Sequence, residues 1–194
     1  MTDASHLALV MTVSPNDGGT MGFGPGLQYV FHVAGSPSYV AGQAGTETRV
    51  ICMFASPSEV TCWVDGPSGL VGSVTGDPQG PEGITGLGGK FRVFAGRRSD
   101  PSFGNLAGLR AGVQMVKGVS QDVAGCPTDE SLSDTMFASV GTAPATAQPL
   151  CPAGSVDCFA DSNVLALAIE LDASLITTVS EPIAAVWAST HAKP

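Results

Sequence analysis

The sequence predicts a mainly β protein, a single antiparallel β-sandwich spanning residues 1–194 with one short helix. Three observations predict it. An apolar content of 43% in 194 residues suits one domain with a sizeable core. The chain is punctuated by 25 Gly and 14 Pro, the composition of many turns joining short strands. Strand-like runs outnumber the one run with helical spacing, which argues against a parallel sheet of βαβ units. A charged fraction of only 13% excludes a disordered chain.

The elements follow in order. "HLALVMTV" is apolar with β-branched members and ends near Val13, where "SPNDGGTMGFGPG" supplies turn residues. "LQYVFHV" places Leu27, Tyr29, Phe31 and Val33 on one face and Gln28, Val30 and His32 on the other. "TRVICMF" and "EVTCWV" fold as a hairpin about Pro57, which sets Cys52 opposite Cys62, close enough for a bridge. "LVGSVTG" is the next strand, followed by an aperiodic Gly/Pro loop from Asp77 to Gly89 and the strand "KFRVFAG". Leu106, Leu109, Val113 and Val116 then recur at three- and four-residue steps, predicting an amphipathic helix after "AGRRSDPSF". Residues 119–160 read as a long loop, stapled by disulfides drawn from Cys126, Cys151 and Cys158, with one of the three left over. "NVLALAIEL" is a buried strand, "DASLI" a helical turn capped by Asp172, and "PIAAVWAST" the closing strand.

A formal net charge of -9 argues against nucleic acid as a partner, because the overall field repels phosphate. No apolar run approaches the roughly 20 residues of a membrane span. The cysteines show no zinc-like spacing and favour an oxidising compartment, although no signal peptide is visible.

No G-x-S-x-G, H-E-x-x-H, P-loop or dinucleotide fingerprint occurs. His6, His32 and His191 lie far apart in sequence, and structural or surface roles explain each more simply than a shared metal. "AGRRSDPSF" offers two guanidiniums beside Asp100, able to hold an anion or to pair internally; the internal reading has Arg98 and Asp100 pinning the strand-to-helix corner. Asp157, Asp161 and Asn163 in "CFADSN" supply oxygen donors for Ca²⁺, without the ordered spacing of an EF-hand loop; a polar turn is the simpler reading. "PNDGG" is likewise a turn before it is a calcium loop. Trp63 and Trp187 suggest a carbohydrate groove or, more simply, buried sandwich aromatics. Met115 and Lys117 are poor haem ligands, because neighbouring helix positions point to different faces.

Four segments, "LQYVFHV", "VFAGRRSDPSFGNLAGL", "FADSNVLALAIELDASLI" and "IAAVWAST", together resemble the ordered landmarks of the bacterial domain of unknown function 4331 family. Its members are mostly exported, and its central motif is approximately A-G-x-R-D-D-P-F-F-x-D/N, with a later F-A-G-x-N-V. Arg98, Asp100, Pro101, Phe103 and Asn105 match the first motif, Asn163 the second, and Trp187 the closing tryptophan. Ser99, Ser102 and Asp161 depart from it; Ser99 would weaken any cation site built on paired aspartates. The resemblance also implies a signal peptide and a strand like D-x-x-D-x-Y-A-W ahead of "MTDASHL", so the chain is read as beginning inside the domain, with an open sheet edge for another chain to complete.

These readings converge on a non-catalytic, periplasmic or extracellular binding or structural module, read as one subunit of a cell-surface or periplasmic assembly. The rivals are a haem- or metal-carrying sandwich associated with a periplasmic redox enzyme, and a calcium- or carbohydrate-binding module. The metal candidates are Asp100, Asp157, Asp161 and His32; the ligand or ion-pair candidates are Arg98, Asp100, Asn105, Asp161 and Asn163.

Overall fold

The structure, a computed structural model, describes residues 5–38, 45–129, 132–142, 144–148, 151–176 and 183–192. Among these, nine strands numbered in chain order form two antiparallel sheets. One sheet has the order β1 (His6–Val13), β8 (Asn163–Asp172), β7 (Phe91–Ser99), β6 (Ile84–Gly86). The other runs β5 (Gly69–Gly76), β4 (Glu59–Gly66), β3 (Glu47–Ser56), β2 (Leu27–Ser36), β9 (Ile183–Ala192). Pro182, with which the closing strand was expected to open, lies outside the described residues. The chain divides into two compact units, residues 1–98 with 164–194, and residues 99–163.

In the first unit the alternation of β2 places Tyr29, Phe31 and Val33 in the core, as the sequence predicts. They meet Val50, Cys52 and Phe54 of β3, Val60, Cys62 and Val64 of β4, and Leu165, Leu167, Ile169 and Leu171 of β8. Cys52 and Cys62 face each other across the β3–β4 hairpin, wholly buried, and form a disulfide. The loop expected from Asp77 to Gly89 contains β6 and a 3-10 turn at Leu87–Gly89, a departure from that expectation. The sandwich is thin at this margin because glycines face it. A Cβ at Gly72 would lie 2.2 Å from Leu87, and one at Gly86 would lie 2.9 Å from Val74.

At one margin β5 packs on β6, and core residues of β1, β7 and β8 pack with those of β2, β3 and β4. Among the described residues, no side chain of β9 belongs to the core cluster. Its register sets Ala184, Val186, Ala188 and Thr190 beside Gly35, Val33, Phe31 and Tyr29, so these four lie on the core side of the sheet. All four are nevertheless exposed, Val186 at 44%.

The second unit holds α1 (Leu106–Lys117) and α2 (Leu132–Gly141). The predicted helix after "SDPSF" is present, but a second lies within the stretch read as loop. The predicted apolar stripe is also overturned, since Leu109 and Val113 are exposed while Gly108 and Gly112 are the buried residues of α1. The reason is backbone proximity: the carbonyl oxygen of Ser139 in α2 lies 2.2 Å from where a Cβ on Gly108 would stand. Asn105 locks the pair. Its side-chain oxygen accepts the Gly108 N–H at 2.8 Å, capping α1, while its amide nitrogen donates to the Val140 and Thr142 carbonyls of the α2 terminus at 3.0 and 2.6 Å. A Cys151–Cys158 disulfide closes the segment after α2, and the Cys158 N–H donates to the Gly104 carbonyl at 2.9 Å. Cys126 is exposed and carries a free thiol.

Candidate functional site

Arg98, Asp100 and their neighbours are consumed locally. The Arg98 guanidinium lies 4.0 Å over the Phe94 ring and donates to the Arg97 carbonyl. The Asp100 carboxylate accepts the Ser102 N–H, an Asx turn. Asp157 does the same for Phe159, Asp161 is exposed, and half-buried Asn163 opens β8. Asn105 has several partners, and they are helix termini. Among the described residues no three His, Cys, Asp or Glu side chains gather as a metal site.

The arginine that makes an ion pair from this motif is Arg97. Its Nε donates to Asp17 at 2.8 Å, and Asp17, whose side chain has no exposed surface, also accepts the Gly19 and Met21 N–H groups. The "PNDGG" loop thus spends its carboxylate on fixing itself to β7. Gly19 suits that position through its φ of +108°, and a Cβ there would also stand 3.2 Å from the Arg97 guanidinium, a tight contact. The Gly19 N–H, and after it Arg97 and Met21, hold the Asp17 carboxyl below its ordinary value of 3.8 against the opposing effect of burial. A depressed folded-state pKa contributes stability above the ordinary value and loses it as pH falls through the lower folded value. Thermal melts in the acid range should therefore show Asp17→Asn losing less stability than the parent as pH drops below 3.8. Parallel acid limbs would contradict this. Arg97 also borders a cavity of about 180 Å³ with Met21, Phe23, Pro57, Gln79 and Leu165.

Strand β9 carries exposed apolar side chains on both of its sides, Val186 on one and Trp187 on the other. On its outer side Trp187 is 47% exposed, and its ring stacks on His32 of β2 with centroids 4.9 Å apart and planes 5° from parallel. His32 is held at both ring nitrogens, Nδ1 at 2.6 Å from Glu47 Oε1 and Nε2 at 2.8 Å from Ser189 Oγ. His191 Nε2 lies 2.8 Å from the same hydroxyl. Trp63 of β4 is half-buried on this outer face too, so neither tryptophan is the buried sandwich aromatic expected. Compared with family models, with curated proteins and with solved structures, the chain finds no match.

Glu47, His32 and Ser189 have the connectivity of an acid, a base and a nucleophile. Their setting differs from that of an activated serine. Ser189 sits well inside a regular ten-residue strand, paired with Val30, and not at a strained turn or helix N-terminus whose N–H groups would receive an oxyanion. What the chain of hydrogen bonds does visibly is fix the His32 ring under the indole. Sequence reading missed it because the partners are 157 residues apart and meet only through the β2–β9 register.

Proposed function

We propose that the protein is a non-catalytic, exported binding module, a subunit whose sandwich is completed by one further β-strand from a neighbouring polypeptide. The observation that carries this reading is the bare core-side row of β9. A strand hydrogen-bonded to the free edge of β1 would lie over it. Leu7, Leu9 and Val13 of β1, which point to the core but are only half-buried, would be covered by the same strand. Neither "HLALVMTV" nor "IAAVWASTHA" contains Lys, Arg, Asp, Glu or Pro, the usual guards of an open edge.

The slot specifies its occupant. Ala184, Val186 and Ala188 are small, so the incoming strand should carry large apolar residues at every second position. The strand like D-x-x-D-x-Y-A-W that the family resemblance implies has that chemistry, with Tyr and Trp two residues apart. Export is supported by the two disulfides and by the same resemblance.

The test adds a synthetic strand peptide bearing the Tyr-Ala-Trp alternation to the folded chain. It should bind and raise the melting temperature, while a scrambled peptide should not. Val186→Glu should abolish the effect and leave the melting temperature of the chain alone nearly unchanged, because the residue faces water. Equal binding of the scrambled peptide, or binding unaffected by Val186→Glu, would overturn the reading.

A further inference from the structure

We propose that the outer face of the five-stranded sheet binds an uncharged, extended glycan, laid across the strands with one sugar ring on Trp187. This goes beyond the strand-completion reading and does not depend on it, since it uses the opposite face of β9.

The first support is the plate itself. Trp187 is half-exposed yet held flat, because the imidazole beneath it is pinned at both nitrogens by Glu47 and Ser189. A preorganised indole offers an apolar surface without the entropy of ordering it, which suits a ligand with an apolar C–H face and a rim of hydroxyls. A pyranose ring is such a ligand.

The second support is the balance of charge. Arg49 pairs with Asp65 and His32 with Glu47, which engages these four charged or titratable side chains with one another. Gln28, His191, Thr61 and Thr75 share this face as hydrogen-bonding groups. An anionic ligand would find no unpaired cation among these groups and would meet the exposed Glu59 carboxylate on the same face. Polyhydroxylated ligands find donors and acceptors.

The third support is reach. Register puts Trp187 beside His32, Arg49 and Asp65 in one row, and Ser189, Val30, Ile51 and Trp63 in the next. The two tryptophans therefore stand three strand spacings apart, roughly 14 Å across the sheet. Between them Val30 is buried, so the row packs into a continuous floor. An open floor of this kind cannot enclose a small molecule and gathers contact through ligand length.

The test titrates the folded chain with cellohexaose, xylohexaose and chitohexaose, with a heparin hexasaccharide as charged control, while following the Trp187 indole N–H resonance. At least one neutral oligosaccharide should shift that resonance, with little dependence on salt. Trp187→Ala, folded by circular dichroism, should weaken binding about 30-fold, and Trp63→Ala should weaken it less. The proposal is overturned if no neutral oligosaccharide moves the resonance, if only heparin does, or if Trp187→Ala binds like the parent.

Discussion

Replacing Cys52 and Cys62 together by alanine should lower the stability of the sandwich by about 3 kcal/mol, read as a fall of roughly 10 °C in melting temperature. The two residues are 10 apart in sequence, and loop-closure entropy for a ring of that size sets the magnitude. Their position adds to it. Both are wholly buried at the centre of the five-stranded sheet, between Phe54, Val60 and Val64, so truncation also leaves unfilled volume. The same treatment of Cys151 and Cys158 should act on residues 99–163 and spare the sandwich. Scanning calorimetry of the two double variants separates these outcomes; a Cys52/Cys62 variant that melts like the parent would contradict the first.

The second large effect is a contrast between two glycines one helical turn apart. Gly108→Ala should destabilise the α1–α2 pair by about 1–3 kcal/mol, although alanine favours helix over glycine by about 1 kcal/mol. The new methyl would collide with the Ser139 carbonyl, a backbone atom that cannot turn aside. Gly112→Ala should instead be neutral or stabilising by up to about 1 kcal/mol. Its methyl would meet the Met136 and Ser139 side chains at 3.6 Å, ordinary contact. Amide exchange across Leu106–Lys117 measures both; matching effects at the two positions would show that the helices are not held by the Gly108 approach.

That contrast also shows where the sequence was and was not legible. Strand alternation in β2, the hairpin that pairs Cys52 with Cys62, and the Asp172 cap on the turn at Ala173–Leu175 all follow from local chemistry, and all are present. Helix α1 was legible as a helix but not by its buried face. Periodicity assigns burial to large apolar residues, whereas close helix packing selects glycine. Helix α2 had a signal in Leu132, Met136 and Val140 at four-residue steps, obscured by the Gly, Ser and Thr around it. The corner "AGRRSDPSF" announced its arginines, but only the fold could bring Asp17, 80 residues earlier, to Arg97. The candidate surfaces on β9 were hidden for the same reason. A strand's pattern does not say whether the opposite sheet reaches far enough to cover it.

On the proposed reading the sandwich is open along β1 and accepts a strand there. The most direct measurement is amide hydrogen exchange along Leu7–Val13 with and without the Tyr-Ala-Trp strand peptide. Alternate β1 amides already bond to β8, and the others face the free edge. The free-edge amides should slow on peptide addition, while those of β5, the edge strand at the far margin, should not. Protection that stays unchanged in β1, or appears along β5 instead, would contradict it.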